Sequence, residues 1–204
     1  MKPVIGIIGK PVFSTDGHLM YGAYDSIIKA ICDSNGACIC IFSLLNFEEI
    51  ILNLDGIIFQ GGSDIEEYEK KILQIAYENN IPTLGICAGM QLMGEMFGGQ
   101  LIEVDNHKHK NKKYSHEIEI DPNSKLYEIY KKEKISVNSR HSFAIKNTNL
   151  TVSAKSLDGV IEALEDKNKT FFIGVQWHPE NMFSYDEDQE KLYNYFINVC
   201  RGDL

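Results

Sequence analysis

Residues 85–91 (GICAGMQ) set a cysteine between a short apolar run and a helical pattern, with one glycine two positions before it and another two positions after. A chain turns that abruptly from a buried strand into a helix only if the flanking residues nearly touch, so a side chain at Gly85 or Gly89 would collide. The pattern is that of a nucleophile elbow with cysteine in place of serine. It predicts a strand running straight into a helix, with Cys87 at the carboxyl end of a parallel sheet, where open α/β sheets bind ligands. The positive end of the following helix favours thiolate over thiol. Taken alone, a buried cysteine ahead of a helix that starts on glycine reads the same way, so the rest of the chain has to decide.

Around the elbow, short apolar runs alternate with helical patterns, the signature of a parallel sheet with crossover helices. Strands are expected at 4–8, 38–44, 56–59 and 83–86. Helices are expected at 21–34, with Ile27, Ile28 and Ile31 on one face and Asn35-Gly36 as the stop, at 47–52, at 65–79 and at 89–97. Ser63 and Glu66 stand at capping-box spacing ahead of the third of these. Beyond Gly98-Gly99 the texture changes to short strands at 101–104, around 118–120 and 135–137, and at 152–155, 160–164 and 171–177. Asp158-Gly159 marks a hairpin turn, and a helix over 186–200 follows the last strand. The expected architecture is α/β, a mostly parallel central sheet plus a small antiparallel β portion.

At 204 residues, 44% apolar and 24% charged, the chain reads as one ordinary globular domain over 1–204, which excludes disordered, collagen-like and coiled-coil classes. Twenty basic against 29 acidic residues give a net charge of -9, which argues against nucleic acid or an anionic membrane as partner. Only Arg140 and Arg201 among the cations are arginine. The opening MKPVIGIIGK is far below the length of a signal-peptide core or a membrane span. Five cysteines, with no pair of CxxC motifs, suit a reducing cytoplasm, and four of them read as buried packing residues.

A thiolate nucleophile needs a proton carrier. In GVQWHPE, residues 174–180, His178 follows an apolar strand and Pro179 holds it extended. Glu180 lies two residues on, where its carboxylate can take the second imidazole N–H and fix the tautomer. Backbone N–H groups of Gly62 and Ala88 can converge on one developing oxyanion. Each element has an ordinary alternative: a strand-end histidine, a solvated glutamate, a tight Gly61-Gly62 turn. Together they describe acyl transfer through a thioester, run by one histidine near neutral pKa without a metal or organic cofactor. The basic run HKHKNKK, residues 107–113, reads as a solvated loop, and its His107-x-His109 spacing lacks an obvious third metal ligand.

In order, DGIIFQGGSDI, PTLGICAGMQ, SVNSRHSFAI, DGVIEALE and FIGVQWHPE resemble the class I glutamine amidotransferase superfamily, most closely its γ-glutamyl-γ-aminobutyrate hydrolase branch, over roughly residues 55–180. The resemblance implies a three-layer, flavodoxin-like sandwich and a Cys-His-Glu triad acting on a γ-glutamyl amide. Carried over, Cys87 is the nucleophile, His178 the general base and acid, and Glu180 the orienting carboxylate. Gly61, Gln91, Ser139, Arg140 and His141 match positions around the substrate. The branch usually has arginine where this chain has Ala88, and His-His-Gln where it has His141-Ser142-Phe143. Arg140 instead puts a fixed cationic fork beside the expected pocket, suited to carboxylate or phosphate. The SRHSFAI block also resembles γ-glutamyl nucleotide-amidate hydrolases of capsule pathways. The expected partner is therefore a small γ-glutamyl compound, with an anionic leaving group as the sharper option and a homodimer compatible with it. Two other readings stay open: a glutaminase subunit delivering ammonia to a synthase, and a catalytically silent binding module.

Overall fold

Apolar runs bounded by glycine or polar turns become the strands of one nine-stranded sheet in the computed structural model, which describes residues 1–42, 48–62, 65–109 and 111–204. The chain enters through β1 (Val4–Ile8), makes a hairpin of β2 (Lys10–Phe13) and β3 (Leu19–Gly22), and crosses by α1 (Asp25–Asp33) to β4 (Ala37–Ile41). It then passes through α2 (Glu48–Leu52), β5 (Gly56–Phe59), α3 (Glu67–Glu78), β6 (Thr83–Ile86) and α4 (Ala88–Met96). The second half runs through β7 (Gln100–Glu103), β8 (His116–Ile120), α5 (Lys125–Tyr130), β9 (Lys134–Val137), β10 (Phe143–Lys146) and β11 (Thr151–Ser156). It finishes with β12 (Ile161–Glu165), β13 (Phe172–Val175) and α6 (Glu187–Arg201).

The order across the sheet is β4-β1-β5-β6-β13-β12-β11-β8-β9. Its first five strands are parallel, in the flavodoxin-like order, and the remainder are antiparallel and continuous with them. Alternation along each strand feeds two cores. Ile58 packs on the side of Ile27 and Ile31 from α1 and Phe196 and Ile197 from α6. Ile57 and Phe59 face Ile72 and Leu73 of α3 and Met90 and Met93 of α4. Covered on both sides, β5, β6 and β13 are buried throughout, which is why they read as unbroken apolar runs.

Strands at 4–8, 56–59 and 83–86 fall where expected. The helix expected over 21–34 begins only at Asp25, because Leu19–Gly22 pair with Lys10–Phe13. The Tyr21 ring stacks on Phe42 at 5.9 Å and meets Tyr68 edge-on at 6.3 Å, which holds this segment extended. In α1 the buried face is Ile27, Ala30 and Ile31, and Ile28 is 36% exposed. The strand expected to reach Leu44 ends at Ile41, and Leu44, Phe47 and Ser63 lie outside the described residues. Glu66 is the extended residue before α3 and makes no side-chain cap. The last strand is shorter than expected, Phe172–Val175. The β2–β3 hairpin, β10 and α5 were not anticipated; α5 is started by Ser124, whose hydroxyl accepts from Tyr127 N. Of the four cysteines expected to be buried, Cys200 is, whereas Cys32 is exposed on the outer face of α1, and Cys40 is exposed and Cys38 half-buried because β4 is an edge strand. Among the described residues no helix is long and apolar enough to cross a membrane.

The end of β13 is tied to α6 by buried Gln189, whose Oε1 accepts from Trp177 Nε1 at 3.0 Å and from the Tyr130 hydroxyl at 3.4 Å. Gln189→Leu leaves a buried indole N–H unpaired, so urea unfolding should show a loss of about 1–3 kcal/mol with an unchanged m value.

Candidate active site

Three neighbouring strand ends position the chemistry. Gly85 on β6 is in register with Phe59 on β5 and Gly174 on β13, so the residues two steps on, Gly61, Cys87 and Gln176, lie side by side at the carboxyl edge. Cys87 itself sits at φ 51° and ψ -104°, a conformation costing about 1–3 kcal/mol for a residue with a side chain. It is held there by its N–H donating to Val175 O at 2.8 Å and by its carbonyl accepting from Gln91 N at 3.0 Å. A Cβ on Gly85 would stand 2.8 Å from the Gly89 carbonyl carbon, which is the close approach the elbow requires. A Cβ on Gly89 would enter the carbonyl group of Phe59, so the second glycine answers to the neighbouring strand rather than to Gly85.

His178 leaves β13 beside this turn. Its Nδ1 lies 2.7 Å from Glu180 Oε1, and Asn181 Nδ2 donates to the same oxygen at 3.0 Å. Glu180 is fixed in a short 3-10 turn, Pro179–Asn181, and is 5% exposed. Buried Asn138 clamps the His178 backbone from both sides: His178 N donates to Asn138 Oδ1 and Asn138 Nδ2 donates to His178 O, each at 2.8 Å. A Cβ on Gly61 would fall 2.8 Å from His178 Cε1 and 3.4 Å from the Cys87 Cβ, so Gly61 makes room for the imidazole against the cysteine.

Cys87, His178, Glu180, Gly62, Gln91, Arg140 and His141 share one cavity of about 600 Å³. Lys108 of the basic run and Ser142 and Phe143 beside His141 also line it, and Tyr24 and Asn181 complete the lining without having been singled out from sequence. Ala88 is the buried first residue of α4, directly after the nucleophile. Gln91 is braced by donating to Phe143 O at 2.8 Å and to Gln176 Oε1 at 3.1 Å. Ser139 is fully buried behind the wall and donates its hydroxyl to His107 O, whereas Arg140 next to it is exposed and bridges to Lys108. Within the basic run, Lys108 reaches the cavity, and Lys110 lies outside the described residues. Gln60 had carried no expectation; it accepts from Tyr24 N at 3.0 Å and donates to Ile8 O and Gly22 O, fixing one rim.

Burial alone would lower the pKa of His178, but the negative charge of Glu180 and the Cys87 sulfur outweigh it and raise the imidazole from 6.5 to about 10. Glu180 and the Cys87 sulfur thus both favour the protonated ring.

A solved structure of the Trypanosoma brucei CTPS glutaminase domain with bound acivicin superposes with a TM-score of 0.73, covering 98% of this chain and 94% of that one, at 20% identity, a likeness of fold. The match defines the fold: a three-layer α/β sandwich on a mostly parallel sheet. A Schizosaccharomyces pombe protein that carries a glutamine amidotransferase name is 30% identical over 209 residues, 87% of this chain and 82% of its own. The Campylobacter jejuni γ-glutamyl-CDP-amidate hydrolase is 30% identical over 141 residues, 62% of each chain. The Peptidase C26 family model matches residues 3–180, and the chain belongs to that family of class I glutamine amidotransferases, a hydrolase group acting on C–N bonds.

Because the raised pKa of His178 means that its proton is lost only as pH approaches about 10, Glu180→Gln should move that loss downward. Imidazole NMR of labelled protein should show His178 titrating about 1–3 units lower in the variant than in the wild type; an unmoved titration would mean that Glu180 does not govern the charge.

Proposed function

We propose that the chain hydrolyses a γ-glutamyl amide through a Cys87 thioester and that the leaving group is anionic. One observation carries this reading: a single cavity brings Cys87 and His178 together with the two cations Arg140 and Lys108. The Cys87 thiolate adds to the γ-carbonyl carbon, and the N–H groups of Gly62 and Ala88 receive the oxyanion. As the tetrahedral intermediate collapses, the C–N bond breaks and the His178 imidazolium gives its proton to the departing amine. Acylation consumes the thiolate, and with it one of the two charges that raised the His178 pKa. The neutral imidazole then takes a proton from water, whose oxygen attacks the thioester. Collapse of the second intermediate expels the Cys87 thiolate, regenerates the ion pair and releases glutamate. Gln91 braces the cavity wall through Phe143, and Gly61 keeps the imidazole within reach of the sulfur. Arg140 is the residue suited to a bidentate grip on phosphate or carboxylate, and the relation to the Campylobacter nucleotide-amidate hydrolase supports that assignment. A cytoplasmic setting keeps the nucleophile reduced.

A second reading is favoured by the CTPS glutaminase fold: this chain as an ammonia-delivering partner of a synthase. The purified chain alone, assayed on γ-glutamyl peptides, polyamine derivatives and nucleotide amidates, separates the two. Turnover without a partner supports the hydrolase; hydrolysis of glutamine that appears only on adding a synthase overturns it. Iodoacetamide should alkylate Cys87 well ahead of the four other thiols and abolish activity, and equal slow labelling of all five would point instead to a silent module. Arg140→Ala should raise KM about 10-fold or more for anionic substrates while leaving neutral ones nearly unchanged, the scale of a lost charge-assisted hydrogen bond; equal changes would remove the anion site.

A further inference from the structure

Four side chains brought from separate parts of the chain meet at one buried point that the triad does not use. Glu162 on β12 has no exposed surface, His116 opens β8, His107 lies in the segment after β7, and His141 follows β9. From Glu162 Oε1 the distances are 3.1 Å to His116 Nε2, 3.4 Å to His107 Nδ1 and 3.6 Å to His141 Nε2. The His107 ring centroid lies 4.9 Å from that of His116 and 4.8 Å from that of His141. Despite these short separations, none of the three ring nitrogens and neither oxygen of Glu162 has a hydrogen-bond partner among the described residues. Glu162 Oε1 lies at ion-pair distance from all three nitrogens, and near-contact without N–H···O alignment is also the arrangement of donor atoms aimed at a common centre.

The outward hydrogen bonds agree. His107 Nε2 lies 3.0 Å from Asp158 Oδ2, an acceptor that draws the ring proton to Nε2 and leaves the Nδ1 lone pair facing Glu162. His141 Nδ1 lies 3.0 Å from the Phe143 carbonyl, which can only accept, so this nitrogen is the donor and Nε2 faces the cluster. Tetrahedral bonds of about 2.0–2.1 Å put neighbouring ligand atoms about 3.3 Å apart, and the three separations from Glu162 Oε1 bracket that value. The ligating atoms of His107, His116 and Glu162 lie within 4.8 Å of one another. His109, the second histidine of the sequence run, and His141 are outside this group.

We propose that His107, His116 and Glu162 bind one divalent transition metal ion, zinc by ligand type, with His141 beside them. Two imidazoles and a carboxylate suit zinc, and the fourth tetrahedral position is left for water or for His141, whose Nε2 lies 3.6 Å from Glu162 Oε1. Its place gives it work: His141 belongs to the cavity wall, and Arg140 beside it pairs with Lys108 beside His107. The ion therefore pins both cations to the rim, whichever amide the cavity accepts.

Metal analysis of protein purified without chelators, followed by zinc titration of the stripped protein against a competing chelator dye, should find one equivalent per chain. Stripping should also lower Tm. Cobalt substitution should give the intense visible bands of a tetrahedral site without thiolate charge transfer. Glu162→Gln and His116→Ala should lose the zinc, Asp158→Asn should weaken it about 10- to 100-fold as a positioning change, and Cys87→Ser should keep it. The site is refuted if stripped protein takes up no zinc at micromolar free metal, if Glu162→Gln binds like the wild type, or if alkylating the cysteines releases the ion. Should Glu162→Gln fail to fold, the cobalt spectrum of the wild type and the Asp158→Asn affinity still decide.

Discussion

The backbone contact between Gly89 and the carbonyl group of Phe59 sets how closely the elbow helix can approach the sheet, and the catalytic geometry follows from it. Any larger residue would lift α4 away from β5 and take the Cys87 turn with it. With the contact in place, Cys87 is forced to a positive φ, and the neighbouring ends of β5 and β13 bring Gly61 and His178 against it. The strain at the cysteine is thus offset by the pairing of three buried strands rather than by anything local. Such over-determination is what allows an unfavourable backbone conformation to persist at a reacting atom.

The two halves of the sheet divide the work. The parallel strands β5, β6 and β13 deliver the nucleophile, the room for it and the proton carrier. The antiparallel strands supply what surrounds them: Asn138 at the end of β9 holds the His178 backbone, and Arg140 and His141 just beyond line the cavity. Chemistry common to a family can therefore stay fixed in one half while the substrate-facing wall varies in the other.

What was legible in the sequence was local or sterically compelled. Gly85 is a short-range necessity of the elbow, Gly89 was legible by the same spacing although its contact is with Phe59, and Glu180 reaches His178 because they are two residues apart. Parallel strands buried on both faces announce themselves as apolar runs. Asn138 and Gln60 were not legible, since a side-chain amide that bonds backbone groups about 40 residues away leaves no period to read. The β2–β3 hairpin was hidden because its residues are mostly exposed or half-buried and do not alternate cleanly. The exposure of Cys40 depends on β4 being the sheet edge, a property of the assembled topology alone. His107, His116 and Glu162 each look like ordinary charges on a solvated strand or loop until the fold buries them face to face.

The pairing of β6 with β13, with Leu84 opposite Ile173, has a consequence for synthesis of the protein. The elbow is made early on the ribosome, but the strand that carries the histidine to it emerges much later, and such distant pairing is slow to form. A nascent chain bearing the thiol is consequently without its proton carrier. Any chemistry that needs Cys87 and His178 together switches on only when nearly all of the sheet has closed, so under the proposed mechanism competence itself reports completed folding.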